Sequence, residues 1–167
     1  MENQLFIVFP FSCMETYLQN KYGNNIFFLT FSGAVLQFQD FQYILEVRDF
    51  IEREKIKKIY IVNDTSCRFI NGIIKKDKIF KCQAQRVIEE LYIDNYFSDF
   101  KDQSLNHQQF KLAELNIKNQ INGILNSTLL GKYISEFDIE VKSIITSKEK
   151  KLYKLIQIET NNRFHEL

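Results

Sequence analysis

Cys13 and Cys67 are the residues of this chain best placed to do chemistry, because each stands just beyond an apolar run, in a short polar stretch. A thiolate is a nucleophile and a metal ligand, so two of them brought together bind a metal, whereas a lone thiol is commonly just buried. Metal binding and plain burial are both open for each. Three cysteines in 167 residues do not make a disulfide framework. Cys82 lies on a predicted helix with no partner motif and is expected to be buried. Other reactive residue types lack the company they need. Ser12 and Ser66 have no local base and no nucleophile elbow, and Gly72 and Gly131 stand alone, outside any phosphate-binding glycine loop. His107 and His165, the two histidines, read as surface residues. Asp64 sits in the polar turn before Cys67, where a carboxylate ordinarily bonds its neighbouring backbone amides.

The elements that carry these cysteines read as α/β. Ile59 to Val62 is uninterrupted apolar, as expected of a strand covered on both faces, and the Lys55 to Lys58 segment before it reads as the end of an amphipathic helix. Leu5 to Phe9 is a second apolar run, broken at Pro10. Ligands of an open parallel sheet collect beyond the carboxyl ends of the strands, where the winding direction reverses. If these two strands are neighbours there, Cys13 and Cys67 meet. Ile26 to Phe31 reads as a further strand, ending at Ser32-Gly33-Ala34, small residues that let the backbone pass close to something. From Asp40, a predicted N-cap, Phe41, Ile44, Leu45, Val47, Phe50 and Ile51 follow helical spacing.

The remaining segments are less regular. Met14 to Lys21 reads as a short helix or loop, Phe69 to Ile74 as a short helix, and Lys75 to Lys78 as a surface break. A helix beginning near Ile79 runs through Leu91, Tyr92 to Phe110 receives no assignment, and His107 to Asn126 is helical, closing at Ser127 to Gly131. Ile139 to Ile145, a turn at Thr146 to Lys150, and Leu152 to Ile158 form a hairpin pattern. The fold class is therefore α/β: a mainly parallel central sheet of about four strands, helices on both faces, and an antiparallel edge strand. The expected organisation is one domain over residues 1–160 and a C-terminal tail over 161–167.

Composition narrows the partners. Lys and Arg number 22 against 21 Asp and Glu, for a net charge of +1, a balance that argues against nucleic-acid binding, which draws mostly on phosphate neutralisation. The basic spots at Lys75 to Lys78 and Lys148 to Lys151 are short, broken by an acid, and read as solvated surface. No apolar run approaches the roughly 18 to 20 residues of a membrane helix. The N-terminus has neither the basic region nor the cleavage site of a signal peptide, so no membrane partner and a cytoplasmic location are expected.

Three segments together resemble the β-class carbonic anhydrases. That family carries Cys-Met-Asp-Ser-Arg after strand one, Arg-Asn-Ala-Gly after strand two, and Gly-His-x-x-Cys-Gly after strand three. Here Cys13-Met-Glu, Ser32-Gly33-Ala34 and Asn63-Asp-Thr-Ser-Cys67 stand in the same order. Glu114 to Ile121 is similar to the family's helix with an Asn-Val pair, Asn126-Ser-Thr-Leu-Leu130 resembles its Ser-Pro-Leu segment, and the final strands resemble its closing hairpin. The resemblance implies a zinc ion held by Cys13 and Cys67, and CO2 or bicarbonate as substrate if the protein is active. It also implies a homodimer, although the family's helical arm before strand one is not expected here. Zinc lowers the pKa of its bound water to about 7, which yields the attacking hydroxide.

The departures from the family pattern fall on its working residues. Asp64 stands where the family has its His ligand, which would make the metal set Cys13, Asp64 and Cys67. Glu15 replaces the motif aspartate and Tyr17 the motif arginine, Thr30-Phe31 replaces Arg-Asn, and Arg68 replaces the glycine after the second cysteine. A carboxylate beside two thiolates leaves zinc a weaker Lewis acid. Tyr17 cannot hold an acidic side chain away from the metal as a bidentate arginine does. Glu15 could therefore act near the water or close the site as a fourth ligand, and four protein ligands make a structural site. Tyr17, Ser32, Gly33 and Arg68 complete the expected pocket. The favoured reading is a carbonic-anhydrase-like protein with a degenerate zinc site, lacking ordinary CO2 hydration and binding a metal or a small ligand. The alternatives are an active zinc-dependent carbonate dehydratase using the Cys2Asp site, and a metal-free interaction domain.

Overall fold

A parallel sheet forms where the apolar runs predict it. The computed structural model describes residues 2–9, 12–77, 82–147 and 152–156. Its strands are β1 (Asn3–Val8), β2 (Ile26–Thr30), β3 (Ile56–Asp64), β4 (Glu140–Ser147) and β5 (Leu152–Ile156). They stand in the order β2-β1-β3-β4-β5, with β5 alone antiparallel to its neighbour. The expected fold class is thus the observed one: four parallel strands and an antiparallel edge strand from the closing hairpin. The winding direction reverses between β1 and β3, and the segments bearing Cys13 and Cys67 follow these two strands.

Successive side chains of a strand point to opposite faces, and the two sides are covered differently. Leu5, Ile7, Ile59, Ile61 and Ile145 share one core with the helices α2 (Phe41–Arg53), α3 (Arg68–Ile74), α4 (Gln83–Asp94), α5 (Leu105–Asn126) and α6 (Leu130–Glu136). Phe6, Val8, Tyr60, Val62 and Ile144 form a smaller core with Met14 and Leu18, the latter from α1 (Glu15–Tyr22). Here the Phe6 and Tyr60 rings stack with centroids 4.6 Å apart. Among the described residues no helix is long and apolar enough to cross a membrane.

Several element boundaries differ from the sequence expectation, each for a physical reason. Lys57 and Lys58 belong to β3 rather than to the end of a helix. Helix α2 stops at Arg53, Lys55 turns the chain with φ of 50°, and Ile56 starts the ladder beside Asn3. Thr146 and Ser147 belong to β4 rather than to a turn, because Thr146 pairs with Asp64 across the sheet. The unassigned stretch from Tyr92 is ordered: α4 continues to Asp94, a π-type turn spans Tyr96–Phe100, and Phe100 is buried against Tyr92. Ser104 then caps α5, its hydroxyl oxygen accepting from the His107 N–H at 3.3 Å. Gly131 lies in α6 instead of closing α5, with the Leu125 carbonyl packed where a β-carbon would stand. Helix α4 begins at Gln83, while the expected start near Ile79, the end of the last strand beyond Ile156, and the tail over 161–167 lie outside the described residues.

Candidate functional site

The end of β3 is the centre of the expected site. Asp64 is the last residue of that strand and is 3% exposed. Its Oδ2 accepts a hydrogen bond from Thr146 Oγ1 at 2.6 Å, and its Oδ1 accepts one from the Ser66 N–H at 2.7 Å. The Cys67 N–H donates to the Asp64 carbonyl at 3.0 Å, which closes the turn into α3. Asp64 therefore caps its own turn, as a carboxylate in that position ordinarily does. It also clamps β3 to β4, since Thr146 is its partner across the sheet.

Cys67 is buried at the start of α3, and this burial pushes its thiol up to about 11. The amides of Ile70 and Phe69 pull the other way more weakly, and the nearby Asp64 carboxylate adds to the rise. Cys13 is exposed and adopts the left-handed region, with φ of 52°. It lies beyond β1, which flanks β3 on the side opposite β4. The Asp64 carboxylate is thus engaged with Thr146 of β4 and with its own turn.

The other expected residues are spread over neighbouring elements. Glu15 is the half-buried first residue of α1, and Tyr17, 44% exposed, follows on the same helix. Arg68 is the exposed first residue of α3. Ser32 and Gly33 lie together in a short 3-10 turn, Ser32–Ala34, after β2. Gly33 is buried with φ of 62°, and a β-carbon there would stand 2.8 Å from Ile88 Cδ1, so the turn presses onto α4.

Whether zinc fits can be judged from the donors. Among the described residues no group of three or more His, Cys, Asp or Glu side chains is placed to hold a metal ion. Each Asp64 oxygen already accepts a hydrogen bond, and Cys67 is buried while Cys13 is exposed. Among the described residues the three are thus not gathered into a metal-binding group, and no chemistry is routed through a metal ion.

Buried amides form a second, unforeseen network beside the strand ends. Asn116, fully buried on α5, donates through Nδ2 to the Gly33 carbonyl at 3.0 Å and to Asn63 Oδ1 at 2.8 Å. One turn further along, Gln120 Oε1 accepts from the Leu36 N–H at 2.9 Å. These bonds tie α5 to the segment after β2 and to the end of β3. The sequence does carry a signal for them: Asn116 and Gln120 continue the i, i+4 spacing of Leu112 and Ile124 along the apolar stripe. A cavity of about 650 Å³ opens beside this network, between Ser32, the approach to α2, the start of α4 and the second half of α5.

No family model and no curated protein sequence matches the chain. Solved structures do. One is a β-carbonic anhydrase of the filamentous ascomycete Sordaria macrospora, from a report on two tetrameric enzymes. It superposes with a TM-score of 0.80 at 15% identity, over 94% of this chain and 81% of that one. The fold is that of the β-carbonic anhydrases. CafD of Aspergillus fumigatus gives a TM-score of 0.78 at 16% identity, over 94% of this chain and 90% of that one. The Coccomyxa β-carbonic anhydrase, in complex with acetazolamide, gives 0.76 at 15%, over 93% and 72%. At such identities the likeness speaks for the fold alone.

Proposed function

We propose that this chain is a β-carbonic-anhydrase-like protein that has set aside ordinary CO2 hydration and works as a small-ligand-binding domain. The observation that supports this reading is the engagement of Asp64. Hydration at neutral pH needs an ion held by protein ligands with one position left for water. At the position of the family's histidine, the chain instead has a carboxylate hydrogen bonded to Thr146 and Ser66. Its own residues at the strand ends perform structural work: Asp64 joins β3 to β4, and Asn116 joins α5 to Gly33 and Asn63. The Sordaria enzymes are described as tetrameric, which supports self-association here, with a homodimer as the expected unit.

The test is elemental analysis of protein purified without added metal, alongside a CO2 hydration assay and the Cys67→Ser variant. The expected result is far less than one zinc per chain and no rate above the uncatalysed reaction in either protein. Stoichiometric zinc, with hydration that disappears in the variant while the fold persists, overturns the proposal in favour of a Cys2Asp lyase. Sedimentation velocity checks the assembly, a single monomeric species counting against the dimer.

A further inference from the structure

The cavity beside Ser32 has a lining unlike the rest of the molecule. Charged residues make up 26% of the chain, yet all eighteen described lining residues are uncharged types, and seven of them are asparagine or glutamine. Gln37, Gln39 and Gln83 stand on the approach to α2 and at the start of α4. Asn119, Asn122 and Asn126 stand along α5. Each amide offers both a donor and an acceptor. A wall of them suits a partner whose edge alternates donors and acceptors.

Phe31, Phe38 and Tyr43 bring aromatic rings to the same lining. Phe31 meets Tyr43 edge to face with centroids 5.4 Å apart. The Phe38 ring lies against Gly123, occupying the space a β-carbon would take. The Tyr43 hydroxyl is buried with no hydrogen-bond partner among the described residues, and burial with the Asp40 charge raises its pKa, so it stays a neutral phenol. A volume of about 650 Å³ falls within the usual range of small-molecule sites.

We propose that this cavity is a binding site for a nucleobase, the flat ring lying against the aromatic side chains and its polar edge read by the amides of α4, α5 and the approach to α2. Asparagine and glutamine pair with base edges by this donor-and-acceptor match, and aromatic side chains stack on base faces. The ligand is a single nucleoside or nucleotide, in keeping with a net charge of +1 that offers little to a nucleic-acid backbone. The inference rests on the small-ligand reading above and names the ligand class.

The experiment is calorimetric titration of the full chain with adenosine, guanosine, cytidine and uridine, each also as its 5′-monophosphate, to separate nucleoside from nucleotide. It is repeated on Asn122→Ala/Asn126→Ala, whose exposed helical positions tolerate alanine. At least one compound is expected to bind with Kd below about 1 mM, weakened about tenfold or more in the double variant at an unchanged melting temperature. No binding by any compound, or binding that the double variant leaves intact, overturns the nucleobase site. If the protein is then also free of zinc and inactive towards CO2, the functional proposal stands and this inference alone has failed.

Discussion

Asp64 and Thr146 face each other across β3 and β4, and both are buried. Thr146→Val keeps the shape of the side chain and removes the hydroxyl, leaving a buried carboxylate oxygen short of a donor. Unfolding free energy should fall by about 1–3 kcal/mol, read from urea denaturation at constant m-value. Thiol chemistry offers a second check. A carbamidomethylating reagent at neutral pH should modify exposed Cys13 well before buried Cys67, as mass spectrometry of timed samples would show. Equal rates would mean that the turn after β3 opens readily. At this scale the sequence was half legible. The turn-capping habit of an aspartate before Ser66 is local, so it could be read from the residues. Its partnership with Thr146 spans 82 residues, and no local pattern announces a contact that long.

Helices and strands were legible wherever burial imposed a period. Helix α2 begins where Asp40 predicts it, with Asp40 Oδ1 accepting from the Tyr43 N–H at 3.1 Å. Asp40→Ala should cost about 0.5–2 kcal/mol in thermal or urea unfolding. Boundaries failed where a second interaction overrode composition. Lys58 looks like a helix end, yet it is carried in a strand, its amine 2.9 Å from Glu2. Gly131 looks like a stop, yet it lets α6 start against the Leu125 carbonyl. Gly131→Ala should therefore destabilise by about 1–3 kcal/mol, although alanine is the better helix former. A neutral or stabilising result would show that the junction between α5 and α6 yields easily. The amides of α5 are hard to read for a related reason: at apolar spacing, Asn116 and Gln120 look like interruptions of a core stripe.

For the whole molecule, the order of segments carried more information than any one motif. Apolar runs at Leu5, Ile26 and Ile59, each followed by its own polar turn, prescribe a parallel sheet, and the TM-score of 0.80 agrees with that architecture. The function of a site is a matter of individual donors, which a shared backbone does not transmit. The sheet order also has a consequence for the chain as it is made. Strand β3 is complete by Asp64, but its neighbour β4 begins only at Glu140. A growing chain must therefore emerge by some 75 residues more before the second edge of its central strand is closed. Throughout that interval β3 offers a row of unpaired amides and carbonyls flanked by Ile59 and Ile61, the kind of edge that recruits other strands. Synthesis stalled within α5 would leave this edge open, so the time from Asp64 to Glu140 is when the nascent protein most needs a chaperone.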